Sequence, residues 1–72
     1  MSVTESVAIK INGEVRRVSA GASIAAMLGE LGLNAERVAV ERNLEIVPRS
    51  TLGEVEVKDG DAFEIVHFVG GG

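Results

Sequence analysis

Apolar and polar positions alternate from the start of the first regular segment. In Val7-Ala8-Ile9-Lys10-Ile11, residues Val7, Ile9 and Ile11 fall on one face, and Asn12-Gly13 follows at once. Asn-Gly between alternating runs marks a type I′ hairpin turn, which needs positive φ at both central positions. Glu14 to Ser19 is then the returning strand. After the loop Ala20-Gly21-Ala22 the period changes: Ile24, Met27, Leu28 and Leu31 take the i, i+3, i+4, i+7 spacing of one buried helical stripe. Ser23 is placed to accept from the free N–H groups at the start of that helix, and Gly32 to close it. Gly29 lies inside the pattern and costs up to ~1 kcal/mol relative to alanine unless a neighbouring backbone comes close.

Alternation returns over residues 37–42, which read as a strand, and Asn43 marks a turn. Ile46-Val47 reads as a short strand cut off by Pro48, because proline lacks the ladder donor. Residues 50–56 form a connection of low regularity. Lys58-Asp59-Gly60-Asp61 is a tight turn that launches a last strand from Ala62 to Val69. The predicted core comprises Val7, Ile9, Ile24, Leu28, Leu31, Val40, Phe63 and Ile65.

This order, hairpin, helix, strand, short strand, final strand, contains a single helix and so predicts an α+β fold with one covered sheet face. Setting the first and last strands side by side at the centre, with the helix diagonally across a mixed four- to five-stranded sheet, reproduces the ubiquitin-like β-grasp. The 72 residues form one domain. A chain of this size buries only ~60% of its unfolded surface, which leaves little for an internal catalytic cavity. A chain this small is not a comfortable enzyme.

The chain has no cysteine, which excludes disulfides, thiolate metal sites and cysteine nucleophiles, so any sulfur it handles comes from elsewhere. A net charge of -4 with dispersed acidic residues disfavours nucleic acid and favours basic protein partners. The longest uncharged stretch, Val18 to Gly29, falls short of the ~20 apolar residues of a membrane span. The polar start Met1 to Ser6 does not resemble a signal peptide. These features predict a cytoplasmic protein that binds neither nucleic acid nor membrane.

Gly70, Gly71 and Gly72 follow the apolar run Phe63 to Val69. Glycine enters narrow spaces and backbone conformations closed to other residues. Three extended residues reach roughly 10 Å, far enough to carry a terminal carboxylate into a partner's cleft. The alternative is a frayed end.

Asn43, Ile46-Val47-Pro48-Arg49, Asp59-Gly60-Asp61, Glu64-Ile65-Val66 and the closing Gly71-Gly72 occur in an order and at a length that resemble the sulfur carriers of bacterial thiamine thiazole biosynthesis, the ThiS family. The resemblance runs from about Val7 to Gly72. The third glycine, Gly70, and the six residues before the first strand depart from many members. The resemblance implies that Gly72 is adenylated by an E1-like partner using ATP and magnesium. It is then converted to a thiocarboxylate by sulfur from a desulfurase or rhodanese system and delivered to thiazole synthase. Gly70 and Gly71 would thread the partner's channel. The carrier would be a monomer that binds no cofactor or metal of its own. The small subunit of molybdopterin synthase, a ubiquitin-like protein modifier and an interaction domain with inert glycines remain alternatives.

Single residues invite other readings. His67, the only histidine, lacks a nearby nucleophile in its strand and reads as a surface residue. Arg49 either forks onto a phosphate or braces its own loop. Arg16-Arg17 reads as a solvated strand face. Glu54, Glu56, Asp59 and Asp61 lack the ligand set of a calcium loop. Phe63 and Phe68, the only aromatic residues, are an odd number apart and so take opposite faces of the last strand. Phe63 and Ile65 then face the helix, whereas Glu64, Val66 and Phe68 face away, and Val66 with Phe68 form a candidate partner-docking patch.

Overall fold

The computed structural model describes residues 5–68. Strands β1 (Ser6–Ile11) and β2 (Glu14–Ser19) form the expected hairpin, with Ile11 opposite Glu14 across a two-residue turn. Asn12 and Gly13 have φ of 50° and 87°, the positive values a type I′ turn requires. Helix α1 (Ile24–Glu30) follows, then β3 (Val38–Arg42), β4 (Glu45–Ile46) and β5 (Ala62–His67). Short 3₁₀ turns occupy Ala35–Arg37 and Arg49–Thr51.

The sheet order is β2-β1-β5-β3-β4, with β1 and β5 parallel and the other neighbours antiparallel. The first and last strands therefore adjoin as expected. Ile9, Val18, Val38, Val40, Phe63 and Ile65 meet Ile24, Met27 and Leu28 of the helix in one core. Val7 and Leu31, expected inside, pack at its margin and are partly buried.

Seven residues make a helix too short to persist alone, and the fold supplies partners for its first four N–H groups. Those of Ile24 and Ala25 donate to the carbonyls of Val55 and Leu52, that of Ala26 to Ser23 Oγ, and that of Met27 to the Ser23 carbonyl. The irregular connection over residues 50–56 thus caps the helix, and Leu52 and Val57 add buried side chains to the core. At the other end, Gly32 (φ 77°) donates to the Gly29 carbonyl and Leu33 to that of Leu28, a Schellman closure. A Cβ built on Gly29 meets nothing within 4 Å, so no close backbone approach accounts for that glycine.

Several strand boundaries differ from the sequence reading. Arg37 belongs to the 3₁₀ turn, and β4 pairs one residue earlier than Ile46-Val47. The turn Asn43-Leu44, with φ of 51° and 73°, sets Arg42 opposite Glu45 and so imposes the earlier register. The Val47 N–H still reaches the Val40 carbonyl before Pro48 ends the pairing. Strand β5 ends at His67; Val69, assigned to it from sequence, lies outside the described residues.

Candidate functional site

Strand β5 separates the two faces of the sheet. Phe63 and Ile65 are 1% and 6% exposed against the helix side, whereas Val66 and Phe68 are 62% and 54% exposed on the other. Cross-strand pairing extends this uncovered face: Ala39 lies opposite Val66, and Glu41 lies opposite both Glu64 and Ile46. Ile46 is itself exposed. Ala39, Ile46 and Val66 therefore line one shallow apolar depression, with Glu41 and Glu64 beside them. Ala39 and Ile46 were not assigned to the docking patch from sequence, because pattern reports which face a residue takes and not which strands adjoin.

The end of β5 is fastened by backbone and side chain. The Phe68 N–H donates to the Arg37 carbonyl, and the Arg49 guanidinium carbon lies 5.8 Å from the Phe68 ring centroid. Arg49 takes the bracing role of its two readings: Nη1 donates to the Ala35 carbonyl at 2.6 Å and Nη2 to that of Val38 at 3.3 Å. His67 is exposed at the strand's end. Gly70, Gly71 and Gly72, the tail residues assigned to modification and threading, lie outside the described residues.

The buried charge of the domain is at the other end of β5. Asp61, 6% exposed, accepts from Arg42 Nε at 2.9 Å, from Asn43 Nδ2 at 3.2 Å and from the Lys58 N–H at 2.8 Å. Burial works to raise its pKa, but the Lys58 backbone bond, the Arg42 and Asn43 bonds and the Arg42 charge outweigh it, so Asp61 titrates below the usual carboxylate range. Asn43 also accepts from the Ala62 N–H, which ties the β3–β4 turn to the start of β5. Sequence reading placed Asp61 in a turn and assigned it no partner; its side-chain partners Asn43 and Arg42 lie 18 and 19 positions away along the chain.

Two other acidic residues of this region pair within the chain. Asp59 accepts from the Ala8 N–H, and Glu56 pairs with Lys58 at 3.4 Å. Among the described residues, no group of three or more His, Asp or Glu side chains is placed to hold a metal ion. Arg16 and Arg17 are exposed and bond to Glu14 and Ser6. Among the described residues no helix is long and apolar enough to cross a membrane.

Among the described residues, a five-stranded mixed sheet with one helix on a single face defines a ubiquitin-like β-grasp domain. The ThiS family matches residues 9–72, and the chain belongs to that family. It is 42% identical over 65 residues to the sulfur carrier protein ThiS of Bacillus subtilis, covering 89% of this chain and 98% of that protein. The crystal structure of the thiamine biosynthesis protein ThiS from Geobacter metallireducens superposes with a TM-score of 0.78 at 35% identity, over 92% of this chain and all of that one. A thiazole synthase of Paramagnetospirillum magneticum is 60% identical over 62 residues, which cover 86% of this chain. The chain spans only 19% of that protein's length.

Proposed function

We propose that this chain carries sulfur for thiamine thiazole synthesis, with Gly72 as the reacting residue. An α-carboxyl group ordinarily has a pKa of ~3.3 to 3.7, and at neutral pH it is an anion that resists nucleophilic attack. Activation comes first: a carboxylate oxygen attacks the α-phosphate of ATP in an adenylating partner that also binds magnesium, and pyrophosphate leaves. The terminal sulfur of a persulfide on a desulfurase or rhodanese system then attacks the acyl carbon and AMP departs; a second thiol of that system cleaves the resulting acyl disulfide, forming a disulfide with the donor's sulfur and releasing the thiocarboxylate. The carrier contributes a recognisable handle, while its partner enzymes position and polarise the reacting atoms. Thiazole synthase receives the sulfur.

The observation that carries this reading is the match to the Bacillus subtilis sulfur carrier along nearly the whole of both chains. The 60% identity to part of a thiazole synthase favours the thiazole pathway over molybdopterin synthesis or protein modification. Val66 and Phe68, extended by Ala39 and Ile46, form the docking surface for the adenylating enzyme, which a monomeric carrier leaves free.

Intact mass spectrometry of the protein purified from its own cells tests the proposal. The expected species has one terminal oxygen replaced by sulfur, and this species transfers its sulfur in a reconstituted thiazole synthase reaction. A population carrying only unmodified carboxylate under thiamine starvation counts against it.

A further inference from the structure

Among the described residues, the last ladder pair of β5 is His67 with Val38. Phe68 is the last anchored position described, and two contacts define it: its N–H on the Arg37 carbonyl and the Arg49 guanidinium over its ring. Arg49 is held to the same stretch of chain, because its two terminal nitrogens take the Ala35 and Val38 carbonyls on either side of Arg37. One planar fork thereby joins the turn before β3 to the ring that ends β5. Pro48 (φ -60°) terminates the pairing of β4 and starts the 3₁₀ turn from which Arg49 projects. A lysine at this place offers a single ammonium on a flexible stem and has no planar fork for two separated carbonyls and a ring.

We propose that Arg49 is a positioning residue for the acyl chemistry: it acts through Phe68, whose ring it holds against the turn before β3. This rests on the carrier reading above. An enzyme that captures the domain by its sheet face receives the reacting carboxylate at a place set by Phe68, so a loosened ring lowers turnover more than it weakens docking.

The test combines spectroscopy with kinetics on Arg49→Met and Arg49→Lys, each in the parent chain and in Phe68→Leu. In the parent chain, the Arg49 side-chain protons are expected to show an NMR ring-current shift that Phe68→Leu abolishes. In ATP–pyrophosphate exchange with the adenylating partner, Arg49→Met is expected to lower kcat about two- to fivefold, the scale of an exposed cation–π contact, with KM for the carrier little changed. Arg49→Lys is expected to recover part of the loss. In the Phe68→Leu background the Arg49→Met effect on kcat is expected to vanish. An absent ring-current shift, a change confined to KM, or an equal kcat loss in both backgrounds overturns the inference. If Arg49→Met does not fold, the ring-current shift and Arg49→Lys decide. If the parent chain supports no exchange, the carrier reading fails, and the ring-current shift alone decides whether Arg49 holds Phe68.

Discussion

The side-chain amide of Asn12 grips the backbone of Ile65, 53 residues further along the chain: Nδ2 donates to the Ile65 carbonyl at 3.1 Å, and the Ile65 N–H donates to Oδ1 at 2.8 Å. The same residue holds the positive φ of the first hairpin turn. Asn12 therefore joins the hairpin to the strand that leads into the C-terminal segment.

These two roles separate by substitution. Asn12→Gly keeps the turn and loses both side-chain bonds, at about 1–3 kcal/mol. Asn12→Ala loses the bonds and also strains the left-handed backbone, which adds roughly 1–2 kcal/mol. Urea denaturation should rank the parent above Asn12→Gly and Asn12→Ala last; equal stability of the two variants would show that turn geometry is not limiting.

The two phenylalanines test the faces of β5. Phe63→Ala should cost ~3 to 5 kcal/mol as a core truncation, whereas Phe68→Ala should melt near the parent and bind the adenylating enzyme more weakly. Thermal melts and binding titrations on both variants decide this. Phe68→Ala melting as early as Phe63→Ala would remove the docking patch.

Asp61 should make stability depend on acid. Its folded pKa lies below the unfolded value, so its contribution is complete above about pH 4 and disappears as pH falls through the lower folded value. Asp61→Asn should be less stable than the parent at pH 7, by about 1–3 kcal/mol, and the gap should narrow towards pH 2. A gap independent of pH would show that the ionised form contributes nothing.

Gly29→Ala should stabilise the domain by up to ~1 kcal/mol, because the position is helical and an added Cβ meets nothing within 4 Å. The check is the chemical denaturation midpoint. A lowered midpoint would mean that the helix surface at Gly29 is more crowded than the fold indicates.

The functional reading depends on the end of the chain. Adding one residue after Gly72 should abolish ATP–pyrophosphate exchange, because it displaces the carboxylate from the α-phosphate of the nucleotide. Gly71→Val should impair transfer without unfolding the domain, since a β-branched side chain restricts the backbone and fills space. Full exchange by the extended chain would show that Gly72 is not the substrate.

The local features were legible because their causes are local. Alternation through Val7 to Ile11 and Asn12-Gly13 specify the hairpin. The stripe Ile24, Met27, Leu28, Leu31, with Ser23 before it and Gly32 after it, specifies the helix. The odd spacing of Phe63 and Phe68 puts one ring in the core and the other on the surface. Periodicity follows from the pitch of each element and needs no knowledge of its neighbours.

Tertiary structure decided which groups face one another. The carbonyls of Leu52 and Val55 cap α1, Arg42 and Asn43 converge on Asp61, Ile46 joins Val66 on the open face, and Arg49 reaches both Ala35 and Val38. None of these pairings repeats with the period of a strand or helix. Each joins segments whose separation is set by every turn between them, and burial then makes the match necessary, since a polar group away from water must find a partner.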